Sequence, residues 1–325
     1  MSLRQAVARS GAAMAALLVA AAGCGGERTS APDPSGPLAG RTVGYLPPNL
    51  RNQVYIELMN RFTRAVEAAG GRVVVGDAAG DPTKQLQQAQ GWITRRQVDA
   101  WLVLPVAPRA FKPVLDQAAR AGIASVVGST PAEMGYASAP AGIGFSGSDW
   151  AELGRLAGQQ LSQCINERLG GRAQVAILGG PPLPGPVVTE RIAAQKAAIL
   201  AGSPGARIVA EADGQSQRKV SQDKMAAILQ AHKDVNALTG TSDDSILGGV
   251  QALRQAGRDP AAMCVVGIDG TPDGRKALTD GTFYADVVLD HEFFGSDTVQ
   301  VLTGLLADPT RPGPQRTIPF RVLKP

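Results

Sequence analysis

The stretch VVGIDGTPDG, Val265–Gly274, ends an apolar run on a carboxylate, Asp269, and follows it at once with a helix-start signal. The residues up to Ile268 read as a buried strand. Thr271 then places a capping oxygen directly before Pro272 at the first helical position. GTPDG is therefore a strand-to-helix turn, the connection from which open α/β sheets are built. In such sheets ligands sit beyond the carboxyl ends of the strands, where Asp269 lies. The carboxylate could hold a metal, serve catalysis, accept hydrogen bonds from a ligand, or simply sit at a helix start favoured by the dipole.

The same alternation extends outward in both directions. Strands GIGFS, AQVAILG, RIVAE, NALTG and MCVVGID are separated by helical segments such as DWAELGRLAGQQL, VVTERIAAQKAAIL and DDSILGGVQALRQAG. An earlier series, TVGYL, RVVVG, AWLVL and ASVVG, is spaced in the same way. In YIELMNRFTRAVEAAG, Ile56, Met59, Phe62, Val66 and Ala69 fall on one helical face. Gly70-Gly71, Gly122 and Gly257 stand where left-handed helix ends are wanted, and Asp81-Pro82 repeats the Thr271-Pro272 start. Two series imply an α/β protein of two doubly wound parallel-sheet lobes. The expected first lobe is 41–147 plus about 290–318; the second is 148–289 plus about 319–325.

The N-terminus carries an address. MSLRQAVARS has two arginines and no acid, GAAMAALLVAAA is small and apolar, and AGC ends at Cys24. A basic region, an apolar run of about 12 residues and small residues before a cut describe an export signal over 1–23. That run is shorter than the ~20 residues that span a bilayer. Cys24 after Ala-Gly resembles a bacterial lipobox, in which the cysteine is lipidated and becomes the new N-terminus; Ala21 stands where that pattern most often has Leu. Residues 24–40 have the Gly, Ser and Pro of a flexible tether. A plain secretory signal with an incidental cysteine is the alternative. The net charge of +4 includes Arg4 and Arg9, so the exported chain carries +2. With no dense Lys/Arg run, nucleic acid is not an expected partner.

Motifs for catalysis and metals are weak. DGTPDGRKALTD, Asp269–Asp280, imitates a calcium loop, but Thr271 occupies its third position and a strand, not a helix, precedes it. GIGFSG, Gly142–Gly147, matches a dinucleotide fingerprint only in letters, because Ile143 and Phe145 alternate as in a strand. His232 and His291 have no Cys or His at metal spacing. No metal, cofactor or enzymatic role is expected.

VGIDGTPDGRKALTDG, with GTSDDSILGGVQALRQAG, DPTKQLQQAQGWITRRQVDAWLVLPV and SDWAELGRLAG, resembles periplasmic sugar-binding proteins of the ribose/galactose type. They share their fold with the ligand domains of lactose-repressor-like regulators. The likeness spans roughly 41–325 and implies two lobes on a three-segment hinge, closing on a ligand between them.

Matched position by position, the resemblance places Asn52 and Tyr55 at the ligand from the first lobe. Arg191 in TERIAAQ stands at a hydroxyl-binding arginine, and Asp269 at the second-lobe carboxylate. For Arg191 the alternative is a surface residue pairing with Glu190 or solvent. Where the family has Asp-Arg after the fourth strand this chain has Ser129-Thr130, and its Asn-Asp is Ser242-Asp243; Ser129, Ser242 and Asp243 join the expected site. Other anchors are replaced: Leu104 for an asparagine, Leu289 for a glutamine, Ser216 and Val54 for aromatics. Tyr55 and Trp150 can supply aromatic area; Phe145 reads as core.

The resemblance, taken with the lipobox-like context of Cys24, implies an exported, lipid-anchored, monomeric solute-binding protein. It would serve the permease and ATPase of an ABC importer and take a carbohydrate-like small molecule. A sensor presenting its closed form to a membrane signalling protein is the alternative, and an exported enzyme a remote one. Cys164 and Cys264 both fall in the second lobe. Two thiols outside the cytoplasm often pair, and pairing is the expectation; two small buried hydrophobes are the alternative.

Overall fold

The structure is a computed structural model that describes residues 35–180 and 187–325. The expected export signal, Cys24 and most of the expected tether lie outside the described residues. One sheet contains β1 (Thr42–Leu46), β2 (Arg72–Val75), β3 (Ala100–Val103), β4 (Ala124–Val127), β5 (Ile143–Gly147) and β11 (Gln315–Thr317). The other contains β6 (Arg172–Gly179), β7 (Gly205–Asp213), β8 (Ala237–Gly240), β9 (Cys264–Ile268), β10 (Ala285–Leu289) and β12 (Phe320–Leu323). Their spatial orders correspond: β2-β1-β3-β4-β5-β11 and β7-β6-β8-β9-β10-β12. This is the two-lobed architecture of type I periplasmic binding proteins.

Helices α1 (Gln53–Ala68), α2 (Pro82–Thr94), α3 (Pro108–Arg120) and α4 (Pro131–Met134) connect the first series. In the second, α5 (Trp150–Leu169), α6 (Val187–Gly202), α7 (Arg218–Ala231), α8 (Asp243–Gln255) and α9 (Pro272–Thr279) do so. α10 (His291–Ala307) returns to pack on α1 and β4. Central strands such as β3, β4, β8 and β9 are buried along their whole length, because apolar clusters cover both faces of each sheet. Phe145 belongs to the core on one face of the first sheet.

Two expectations need correction. The ladders are parallel except β10–β12, which is antiparallel. β12 is entered directly from the other lobe, without the crossover helix that would restore a parallel direction. The buried face of α1 is Leu58, Phe62 and Val66, with Ile56 and Met59 only half-buried. Phe62 packs against the Tyr45 ring on β1, the ring centres 5.9 Å apart. Gly70, Gly122 and Gly257 adopt positive φ at their helix ends; Gly71 does not.

The chain passes between the sheets after β5, after β10 and after β11. These passages are tied to one another. The Ile318 N–H donates to the Gly147 carbonyl at 2.9 Å, and the Asp290 N–H to that of Pro319 at 2.9 Å. The Arg321 guanidinium lies 2.6 Å from the Asp290 carboxylate.

Candidate functional site

In a sheet of this order the crevice opens where neighbouring strands send their connections to opposite faces, between β1 and β3 in one lobe and β6 and β8 in the other. In the first lobe Gln85 closes that crevice. Fully buried on α2, its Nε2 reaches the carbonyls of Leu46 at 3.4 Å, Pro47 at 3.3 Å and Leu104 at 2.9 Å. Its Oε1 accepts from the Val106 N–H at 2.9 Å. One side chain thus holds the carboxyl ends of β1 and β3 together.

In the second lobe the crevice holds charge. Arg191, on the first turns of α6, is buried; its Nη1 donates to the Thr241 carbonyl beyond β8 at 3.1 Å, and its guanidinium carbon lies 5.6 Å from the centre of the Trp150 ring. Its Nε and the buried Thr241 hydroxyl have no hydrogen-bond partner among the described residues. α6 approaches closely because α5 carries Gly154 beneath it: a Cβ there would lie 2.0 Å from the Arg191 carbonyl oxygen. The surface alternative for Arg191 is excluded by its burial, while Glu190 is exposed.

Asp269 closes β9, with φ +114°, a conformation that costs a non-glycine residue of order 1–3 kcal/mol. Its own N–H donates to the Val287 carbonyl at 3.1 Å. The helix it precedes is capped by Thr271, so helix capping is not its task. Asp269 itself is half-buried. Burial, then the charge of Asp243, push its carboxyl well above the usual carboxylate range, against the pull of Arg191. Tyr55 of the first lobe lies close enough that burial and then the Asp269 charge raise its hydroxyl. Its backbone is fixed by the Tyr45 hydroxyl, which donates to the Tyr55 carbonyl at 2.9 Å.

Asp269 thus lies within electrostatic range of both Arg191 and Tyr55. The other expected residues all take part in local hydrogen bonds. Asn52 is exposed and caps α1, its Oδ1 accepting from the Val54 N–H at 2.9 Å. Ser129 donates to Glu133 at 2.8 Å within the cap of α4. Ser242 caps α8. Asp243 is fully buried, and its carboxylate accepts from Ile268 and Thr271. Cys164 on α5 and Cys264 on β9 are joined by a disulfide, with Cα atoms 5.7 Å apart. Cys24 lies outside the described residues.

Three contributors escaped the sequence reading: Gln85, Thr241 and Asp286. Asp286 on β10 is fully buried; its Oδ1 accepts from the Gly270 N–H at 3.3 Å. Desolvation, with the charges of Asp243 and Asp269, pushes its carboxyl up to about 9. Only the capping pattern before Gln85 was visible in sequence.

A family model described as "Periplasmic binding protein domain" matches residues 43–309. The ribose import binding protein RbsB of Salmonella typhimurium is 28% identical over 275 residues, 83% of this chain and 86% of that one. The xylitol-binding protein of Mycolicibacterium smegmatis is 29% identical over 212 residues, 65% of this chain and 57% of that one. A solved ABC transporter periplasmic solute binding protein from Actinobacillus succinogenes 130z, with bound D-allose, superposes with a TM-score of 0.76 at 19% identity, covering 87% of this chain and 97% of its own.

Proposed function

This chain belongs to the family of periplasmic binding protein domains, and we propose that it captures a small polyhydroxylated solute, a sugar or polyol, outside the cytoplasm. It then delivers the solute to the permease and ATPase of an ABC importer. One observation carries this reading: the buried Arg191, whose Nε has no partner among the described residues, lies within electrostatic range of Asp269 yet forms no ion pair with it. A hydroxyl group suits both, donating its proton to the carboxylate while its lone pairs accept from Arg191 Nε. Hydrogen bonds to charged groups are worth about 1.5–3 kcal/mol each. Tyr55, from the opposite lobe, contributes only when the lobes are closed, which makes closure dependent on ligand.

Relatives named for ribose import and xylitol binding support this solute class. The first lobe offers Ser129-Thr130 and Leu104 instead of charged or amide anchors, which favours a solute with fewer hydroxyl contacts on that side. Cys24 is the lipid acceptor, and residues 25–40 tether the domain to the membrane. The test is a thermal-shift panel on the mature protein with D-ribose, D-allose, xylitol, myo-inositol, nucleosides and small organic acids. A ligand at 100 times its Kd adds about 2.7 kcal/mol of stability. Shifts from sugars or polyols support the reading; a shift from acids or nucleosides alone refutes it.

A further inference from the structure

We propose that Asp243 is a positioning residue: it clamps the β9–α9 turn from both sides and thereby holds the Asp269 carboxylate in the cleft. The inference rests on the solute-binding reading of Asp269. Asp243 stands first in α8, and neither of its oxygens is free. Oδ1 accepts from the Ile268 N–H at 3.0 Å. Oδ2 accepts from the Thr271 N–H at 2.8 Å and from the Thr271 hydroxyl at 2.8 Å. The donors lie on either side of Asp269-Gly270, the two consecutive residues with positive φ, +114° and +66°. A segment fixed at 268 and again at 271 is not free to relax into an extended strand.

The surrounding residues are shaped to this clamp. A Cβ on Gly267 would lie 2.8 Å from Asp243 Oδ1, and one on Gly274 would lie 2.1 Å from Oδ2. Gly274 therefore makes room for the carboxylate, whereas a Cβ on Gly267 would first meet the Phe283 ring, at 2.5 Å. The Thr271 hydroxyl, donating to Asp243, also accepts from the Gly274 N–H at 3.1 Å, so the clamp continues into the start of α9. The turn's four consecutive N–H groups, from Ile268 to Thr271, all have acceptors, and Asp243 supplies two of them. An asparagine there would be nearly isosteric, but its NH₂ would face N–H donors on one side.

The test compares the parent with Asp243→Asn, and with Thr271→Val, which removes one of the three donors. Two readouts are taken. The coupling between the Asp269 amide and α protons, measured by NMR without ligand, is small at this positive φ and large in an extended strand. Affinity is measured by calorimetry with whichever of D-ribose, D-allose, xylitol or myo-inositol binds the parent. Asp243→Asn is expected to raise the coupling and weaken binding about thirtyfold or more, with Thr271→Val intermediate in both. Thr271→Ser, which keeps the donor, should match the parent. Unchanged coupling overturns the proposal: if binding is also unchanged Asp243 is only a buried cap, and if binding falls it contacts the solute directly. If Asp243→Asn does not fold, Thr271→Val decides by the same criteria. If none of the four compounds binds the parent, the solute reading fails, and the coupling still decides whether Asp243 sets the turn.

Discussion

Arg191 and Asp269 are held near one another in the second-lobe crevice without forming an ion pair, and each alters the other's ionisation. Burial is unfavourable for both charges, so their arrangement costs stability that a bridging ligand offsets. Asp269→Asn keeps the tolerance of positive φ and removes the charge. It should weaken solute binding by about 2–5 kcal/mol, while the ligand-free melting temperature stays level or rises. Calorimetry and thermal melts on the same preparation check both halves. Tight binding by the variant would remove Asp269 from the site.

The buried acids and His291 set a pH dependence. Asp286 has its folded-state pKa raised to about 9, so its contribution to stability is full below the unfolded value of 3.8 and is lost as pH rises through 9. His291, with its Nε2 unpartnered, is lowered to about 4 by burial, the nearby Glu57 opposing this and Arg275 adding to it. Its contribution is present above 6.5 and lost as pH falls through 4. Ligand-free stability should therefore fall from pH 6.5 to 9, Asp286 contributing at most about 1.4 kcal/mol per unit and Asp269, also raised by burial, adding to the fall. Between 4 and 6.5 the two slopes oppose. Asp286→Asn retains an acceptor for the Gly270 N–H and should flatten the alkaline fall. A parent-like fall in urea titrations of this variant would assign the slope to other groups.

The Cys164–Cys264 bond ties α5 to β9 across a sequence separation of 100 residues, and both sulfur-bearing residues are fully buried. In the chain-entropy description, a closed loop of that size stabilises by about 4–5 kcal/mol. The Cys164→Ala/Cys264→Ala double variant should lose stability of this order. Thiol labelling of the unfolded, unreduced domain beginning at residue 35 should find no reactive group. Two labels per chain would mean that the thiols are free in the protein as exported.

Lipidation at Cys24 predicts a simple partition. The parent, expressed in a bacterium with lipoprotein processing, should sediment with membranes, and Cys24→Ser should be released while binding solute unchanged. Several acyl chains, at about 0.8 kcal/mol per buried CH₂, suffice for such anchoring. A Cys24→Ser protein that still sediments must be held by something else.

The fold was legible because strand, turn and helix signals agree locally; Thr271-Pro272 and Asp81-Pro82 cap the helices their sequences announce. Asp269 and Arg191 were singled out through resemblance, and the structure buries Arg191 within electrostatic range of Asp269. What the sequence concealed are relationships through space. Gln85 reaches carbonyls 38 and 39 residues away, and Asp286 accepts from Gly270 across a strand pair. Asp243 looks like a site residue because it adjoins Ser242 beyond a strand end. Its carboxylate turns inward to the Ile268 and Thr271 donors, in space left by Gly274, and neither periodicity nor motif relates these residues to it. The antiparallel β12 was hidden for a similar reason: its direction follows from a passage between lobes, not from its own four residues.

Gly154 connects packing to the site. A methyl group there would lie 2.0 Å from the Arg191 carbonyl oxygen and 2.8 Å from its carbonyl carbon, so Gly154→Ala must push α6 away from α5. Overpacking of this kind costs about 1–3 kcal/mol of stability. The displacement falls on the residue whose guanidinium reaches the Thr241 carbonyl, so affinity should drop as well, though no charge has changed. Gly158→Ala is the control: its Cβ would lie 2.4 Å from the Gln195 carbonyl oxygen, one turn farther along α6 from Arg191. It should cost similar stability and much less affinity. Calorimetry at a temperature where both variants are fully folded separates the two effects. Equal affinity losses would mean that α6 moves as a rigid body, and that Gly154 has no local hold on the placement of Arg191.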